Sequence, residues 1–217
     1  MQTNPFRSQR GNAKAGCLIA AAVVVVLLII VAMTLAGRYN SMVGLQEKTE
    51  AAWSEIDNQY KRRFDLVPQL VSTVQGAADF EKTTLDEVTE ARASVGRVQL
   101  PPGLPTDPAQ LQAYMQAQQG LGAALGRLFA VSEAYPQLRA TQNFLSLQDQ
   151  LEGTENRIAV ARRDYIDAVR QYNTTIRRFP SNLIAGMFGF EKVAQLEAAA
   201  EERETPSVDF DFKKEDS

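Results

Sequence analysis

Histidine is absent from the 217 residues, and cysteine occurs once, at Cys17. A zinc site built from imidazole and thiolate ligands within one chain is therefore excluded, and so is an intramolecular disulfide. Having no partner in the chain, Cys17 says nothing about the redox character of the compartment. Positive charge is not in excess either: 23 basic against 26 acidic residues leave a net charge of −3, mixed along the chain. Nucleic-acid binding by counterion release needs the opposite balance, so no nucleic-acid partner is expected. No metal or other cofactor is expected. Proline is concentrated in one stretch, QLPPGLPTDPAQ, where Pro101, Pro102, Pro105 and Pro108 make the one strong linker. The length has room for one domain of ordinary size.

What is present begins with LIAAAVVVVLLIIVAMTLA, residues 18–36, interrupted only by Thr34. At 1.5 Å per residue this run matches the ~30 Å hydrocarbon core of a bilayer and predicts a single transmembrane helix. A secretory signal peptide is the rival, with Thr34-Leu35-Ala36 as a poor cleavage site and an apolar core longer than the usual ~7–15 residues. Arg7, Arg10 and Lys14 lie in the polar arm of residues 1–17, against Arg38 and Lys48 in a comparable window beyond the run. That bias favours a cytoplasmic N-terminus and an extracytoplasmic domain, with the reverse topology as the alternative.

Helical periodicity fills most of the remainder. Phe144, Leu151, Ile158, Tyr165, Tyr172 and Phe179 recur every seventh residue, with Leu147, Thr154, Ala161, Ala168 and Thr175 interleaved three positions on. This alternation of bulky and small positions predicts a helix whose seam packs on other helices, its tyrosine hydroxyls in water. Trp53, Ile56, Tyr60, Phe64, Val67, Leu70 and Val74 form a similar stripe that continues from the apolar run to Gly76, with a helix bend predicted at Pro68. A shorter helix carries Leu85, Val88, Ala91 and Val95 and ends near Gly96. After the linker, Asp107 caps a helix that starts at Pro108 and buries Leu111, Tyr114, Gln118, Leu121, Leu125, Leu128 and Ser132. Tyr135-Pro136 breaks it and begins the last long helix.

The fold class predicted is all-α: an N-terminal transmembrane helix continuing into an antiparallel up-and-down four-helix bundle. Gly120, Gly122 and Gly126 give one helix a thin face, read either as close helix packing or as an oligomer contact. Beyond Pro180, Leu183, Ile184, Met187, Phe188 and Phe190 put more apolar surface into a short segment than an exposed tail tolerates. They are the candidate interaction or membrane-contact residues, lying at the bilayer surface or plugging the bundle end. Residues 191–217 read as an acidic, partly disordered tail, with seven acidic and three basic residues from Glu201 onward.

From Tyr39 to Ala78 the sequence YNSMVGLQEKTEAAWSEIDNQYKRRFDLVPQLVSTVQGAA resembles the N-terminal signature of the LemA family of bacterial membrane proteins. LGRLFAVSEAYPQLRATQNFLSLQDQLEGTENRIAVARRDYIDAVRQYN and FPSNLIAGMFGF extend the resemblance, so that residues 39–190 are expected to form the LemA-like bundle. The resemblance implies an anchored up-and-down bundle of the bacterial cytoplasmic (inner) membrane with no established enzymatic activity or cofactor. Its members belong to envelope or signalling contexts, and one branch takes part in building magnetosomes. Many relatives are lipoproteins with a cysteine just before the Tyr-Asn pair. Arg38 stands there in this chain, and Cys17 precedes the apolar run, so lipid attachment is not expected.

Charged groups such as Arg62, Arg63, Asp65, Glu133, Arg139 and Glu155-Asn156-Arg157 have a simpler reading than catalysis, as solvated faces or helical ion pairs such as Asp57 with Lys61. No catalytic residues are expected. The function expected is a membrane-tethered, non-enzymatic interaction or scaffold protein whose partners are the lipid bilayer and either a second copy or another envelope protein. A sensory module transmitting through the anchor helix and a membrane-organising protein are the alternatives.

Overall fold

The computed structural model describes residues 12–76 and 80–196, and every regular element among them is an α-helix. The arm bearing Arg7 and Arg10 and the acidic tail from Glu201 lie outside the described residues. Helix α1 (Asn12–Gln75) carries both the apolar run and the first core stripe, and at 1.5 Å per residue it is about 96 Å long. Residues 18–36 are exposed throughout, and this is the one helix among the described residues long and apolar enough to cross a membrane. Exposure ends at Met42, which is fully buried. The change from naked apolar helix to packed helix therefore falls between Arg38 and Met42.

Four further elements complete the bundle: α2 (Lys82–Arg97), α3 (Pro108–Ser132), α4 (Pro136–Arg139) and α5 (Gln142–Arg177). Asp107 starts α3 as its spacing predicts, its carboxylate accepting from the amides of Ala109 at 2.9 Å and Gln110 at 3.5 Å, with Pro108 in the first turn. Helices α1 and α5 run antiparallel, fixed by Lys48 against Gln171 and Arg63 against Glu155. Helices α2 and α3 form a second antiparallel pair, bridged by Arg127 and Glu87, and the two pairs pack face to face. The predicted seam of α3 is buried at every position. That of α5 is buried from Phe144 to Tyr172 and fails at Phe179, which is 80% exposed because α5 ends two residues earlier and the heptad ends with it.

The last long helix does not begin at Pro136. Pro136 opens α4, a single turn that buries Leu138 under the distal core, and a break at Thr141 separates it from α5.

Pro68 has no N–H to offer the carbonyl four residues back, that of Phe64. α1 nevertheless runs through it, and Arg92 of α2 donates its Nε–H to that carbonyl at 3.2 Å, with its guanidinium 3.8 Å above the Phe64 ring. One side chain thus replaces the missing backbone donor and adds a cation–π contact. Arg92→Leu is expected to lose about 2 kcal/mol. The loss should shrink in a Pro68→Ala background, where residue 68 again supplies an amide. Urea denaturation of the four proteins in detergent, followed by circular dichroism, measures the coupling; equal losses in both backgrounds would show that Arg92 does not serve that carbonyl.

Two apolar clusters fill the bundle. The distal one joins Val67, Leu70 and Val74 with α2, α3 and the start of α5. The proximal one, nearer the anchor, joins Met42, Trp53, Ile56 and Tyr60 with Leu111, Tyr114, Tyr165, Val169 and Tyr172. Because α2 and α3 stop short of the proximal end, other chain covers α1 and α5 there. The linker packs Leu100 and Leu104 against this cluster, and residues 191–196 cross it as a strap with Val193, Ala194 and Leu196 buried. The packed chain therefore runs beyond the expected bundle limit at residue 190, through Leu196. The strap is pinned by the Asn173 side chain, which donates to the Val193 carbonyl at 2.8 Å and accepts from its amide at 3.1 Å. The Tyr165 hydroxyl donates to the Ala194 carbonyl at 3.0 Å, and the Ala194 amide donates to the Pro105 carbonyl at 2.8 Å. Tyr165 is thus fully buried and bonded to backbone, against the expectation of a wet hydroxyl.

Candidate membrane-proximal interaction site

Helix α6 (Ser181–Phe188) crosses the end of the bundle where the apolar run of α1 gives way to packed helix. The α1–α5 register, 48 against 171 and 63 against 155, sets Phe179 level with residues 39 and 40. α6 follows at that height, and its neighbour on α1 is Tyr39. The Tyr39 ring lies 4.8 Å from Phe188 and 5.7 Å from Phe190, centroid to centroid. Gly189 makes the second contact possible: at φ 72° it ends α6 in the left-handed conformation, the Phe190 amide donates to the Ala185 carbonyl at 3.0 Å, and Phe190 turns back under Tyr39.

The five apolar residues singled out from the sequence divide between two faces. Ile184 is buried in the proximal core, so it cannot contact a partner or lipid, and Phe190 is half-buried against the same core. Leu183 (59% exposed), Met187 (80%) and Phe188 (61%) point outward. The segment thus plugs the bundle with one side and presents the other. Phe179 joins the exposed side, which the heptad extrapolation concealed; the signal against that extrapolation was Pro180, which ends the helix before the next repeat. Arg38, Arg177, Arg178 and Lys192 are exposed around these residues. Pro68 is far from this site, about 43 Å along α1 from Tyr39 at the helical rise.

A second constellation separates the two cores. Arg63 is buried, and its guanidinium donates to the Glu155 carboxylate at 2.8 Å, to the Gln118 side-chain oxygen at 2.6 Å and to the Gln118 carbonyl at 2.8 Å. The same guanidinium lies 5.1 Å from the centroid of the Tyr60 ring. Arg63 and Glu155 come from different charged clusters of the sequence, and the fold brings them together. Asp57 does not pair with Lys61 but accepts from the Tyr114 hydroxyl at 3.3 Å. Burial, reinforced by Asp57, holds that hydroxyl well above the usual tyrosine range, and burial alone does the same for Tyr165. These phenols are neutral hydrogen-bond donors, not bases. Of the three glycines on α3, Gly120 and Gly126 are exposed with open space beside them. An added Cβ at Gly122 would meet Arg63 Nη1 at 3.4 Å, ordinary contact, so close helix packing explains none of the three.

A groove of about 590 Å³ lies between α1 and the linker, with Trp53, Asp57 and Tyr114 on one wall and Pro101 and Pro102 on the other. Among the described residues no three carboxylates or thiolates converge as metal ligands would.

Several bacterial proteins are similar in sequence to this chain over most of its length. The magnetosome protein MamQ 2 of Paramagnetospirillum magneticum is 30% identical over 73% of this chain and 64% of its own length. The magnetosome protein MamQ of Magnetospirillum gryphiswaldense is 28% identical over 74% of this chain and 65% of its own. This chain thus spans less than two thirds of the magnetosome relatives it matches. Protein LemA of Metamycoplasma hominis is 26% identical over 77% of this chain and 72% of its own length. The apolar helix and these relatives fit a single-pass membrane protein. Residues 52–210 match the LemA family from the α1 core stripe through the strap and beyond, and the chain belongs to that family.

Proposed function

We propose that this LemA-family protein is a non-enzymatic scaffold of the bacterial cell envelope, tethered in the cytoplasmic membrane by residues 18–36. The observation that carries the reading is the continuity of α1, in which the apolar span and the central core helix of the bundle are one element. A flexible tether would leave the domain free to reorient relative to its span, whereas a shared helix makes span and domain one rigid body and sets how far along α1 from the apolar run each binding side stands. Relatives named for the magnetosome accord with a role at a membrane. Arg7, Arg10 and Lys14 before the span favour an extracytoplasmic bundle. Transmission along α1 past Pro68 is less favoured, because Arg92 already clamps the carbonyl that such a hinge would need to free.

A scaffold of this kind binds a second copy or another envelope protein. Light scattering of the detergent-solubilised chain is expected to show dimers or larger assemblies, or else crosslinking in native membranes should recover one stoichiometric envelope partner. A monomer with neither would defeat the scaffold reading. For sidedness, Gln119→Cys in a Cys17→Ser background should react with a membrane-impermeant maleimide added to intact spheroplasts; labelling only after lysis would invert the topology.

A further inference from the structure

We propose that α6 is a second attachment to the bilayer, a foot whose outer face rests among the headgroups of anionic phospholipids. The inference rests on residues 18–36 being the membrane span. Its starting point is height. Tyr39 stands three residues past the apolar run, about 4.5 Å along the helix, and Tyr39 is the residue that Phe188 and Phe190 pack against. The α1–α5 register puts Phe179 at the same level. If the run fills the hydrocarbon core, the α6 face lies in the headgroup layer, since among the described residues no chain intervenes to lift it away.

Composition fits that position. Phe179, Leu183, Met187 and Phe188 offer exposed apolar surface, while Ile184 and Ala185 fasten the other side of the helix to the core. A short helix fixed this way cannot bury its outer side chains against its own bundle, and burying them at an acyl boundary is the behaviour of interfacial amphipathic helices. Charge selects the lipid. Between residues 177 and 192 the chain carries Arg177, Arg178 and Lys192 against the single acid Glu191, and Arg38 of α1 stands at the same level. All four cations are exposed, and none takes part in an ion pair among the described residues. Long cationic side chains around an apolar face place their stems on it and their heads at the phosphates.

The consequence is orientational. One helix through a bilayer leaves rotation and tilt of the domain unrestrained, and a foot beside the post restrains both. The scaffold then presents fixed sides of the bundle to neighbours in the membrane plane.

The full chain in nanodiscs, in a Cys17→Ser background, tests this with nitroxide labels at Met187→Cys, Gln119→Cys and Ile29→Cys. In phosphatidylcholine with phosphatidylglycerol, the label at 187 should be several-fold more accessible to oxygen and several-fold less accessible to a water-soluble nickel complex than the label at 119. It should read shallower than the label at 29. Arg177→Glu with Arg178→Glu, or pure phosphatidylcholine, should shift the 187 label towards water, by about fivefold in the docked-to-undocked ratio for each arginine interaction lost. A label at 187 that matches 119 overturns the foot, as does one shielded from both reagents, which would mean that a second copy or other chain covers it. Indifference to lipid charge and to both arginines overturns the anionic preference. A label at 29 that is not lipid-exposed removes the span itself, a separate failure of the reading on which the foot depends.

Discussion

Arg63→Ala is expected to destabilise the bundle by about 3–5 kcal/mol, read as a lowered urea midpoint with an unchanged slope. The guanidinium sits where the distal and proximal cores meet and makes three hydrogen bonds to two helices, α3 through Gln118 and α5 through Glu155. Removing it leaves a cavity the length of the arginine stem and strands the Gln118 side-chain oxygen in a buried layer, where an unpaired acceptor costs about 1–3 kcal/mol, while the Gln118 carbonyl keeps its helical bond within α3. Glu155 fares better, because its side chain is 57% exposed and water can take the place of Arg63. Glu155→Gln, which keeps an acceptor, should therefore cost far less, about 1 kcal/mol. The revealing variant is Arg63→Met with Gln118→Leu. It fills the layer with apolar volume and should return to within about 1 kcal/mol of the parent, because a buried charged side chain is seldom more stabilising than well-packed hydrocarbon. If the arginine layer instead fixes which faces of α1, α3 and α5 meet, that double variant will be stable but lose sharp side-chain resonances in its NMR spectrum. An Arg63→Ala loss below about 1 kcal/mol would mean that the guanidinium reaches solvent and holds nothing together.

The long helices were legible because each obeys a single periodicity over many turns. The α3 stripe from Leu111 to Ser132 could be read residue by residue, its cap included, since burial of one face leaves the spacing little freedom. Legibility failed where the chain stops being periodic. Phe179 fits the heptad numerically but lies past the end of α5, and the difference between 0% exposure at Phe144 and 80% at Phe179 is the difference between having a next turn and not having one. The strap had no signature at all. Val193, Ala194 and Leu196 sit among Glu191, Lys192 and Gln195 in a stretch whose composition reads as the start of a solvated tail, and only the shortness of α2 and α3 creates the gap they fill. Arg63 was visible as a charge and misread as surface, because the residues that its two Nη atoms bond lie 55 and 92 positions away. The candidate site was half legible for a related reason. Excess apolar content around residues 183–190 marked the segment, but which side chains face outward depends on Gly189 and on Tyr39, which no local pattern connects to it.

The second large effect is expected at Asn173. Its side-chain amide meets both the carbonyl and the amide of Val193, as a neighbouring strand would, in a position that is 5% exposed. Asn173→Leu keeps the volume and removes both bonds, leaving two buried backbone groups unpaired at about 1–3 kcal/mol each, a total of about 3 kcal/mol. The strap has a cheaper escape than bearing that cost, since releasing residues 191–196 returns those groups to water while exposing Val193 and Leu196. Local detachment should therefore precede global unfolding. Trypsin reads it directly: Lys192 is already exposed, but cleavage after it requires Val193 to leave its bonds, whereas Arg97 borders the linker and serves as the internal reference. Cleavage at Lys192 relative to Arg97 should rise by about two orders of magnitude in Asn173→Leu, in line with the ~3 kcal/mol lost, while Tyr165→Phe, which gives up one bond to Ala194, should raise it by about tenfold or less. Cleavage in Asn173→Leu at the parental rate would mean that the strap is held by its apolar residues alone. The outcome bears on the membrane end as well. Phe190 connects the strap to α6 and packs on Tyr39, so a strap released at Val193 loosens the outer face of α6 from α1. Loss of Asn173 should then blur the position of Met187 even though the two residues belong to different helices.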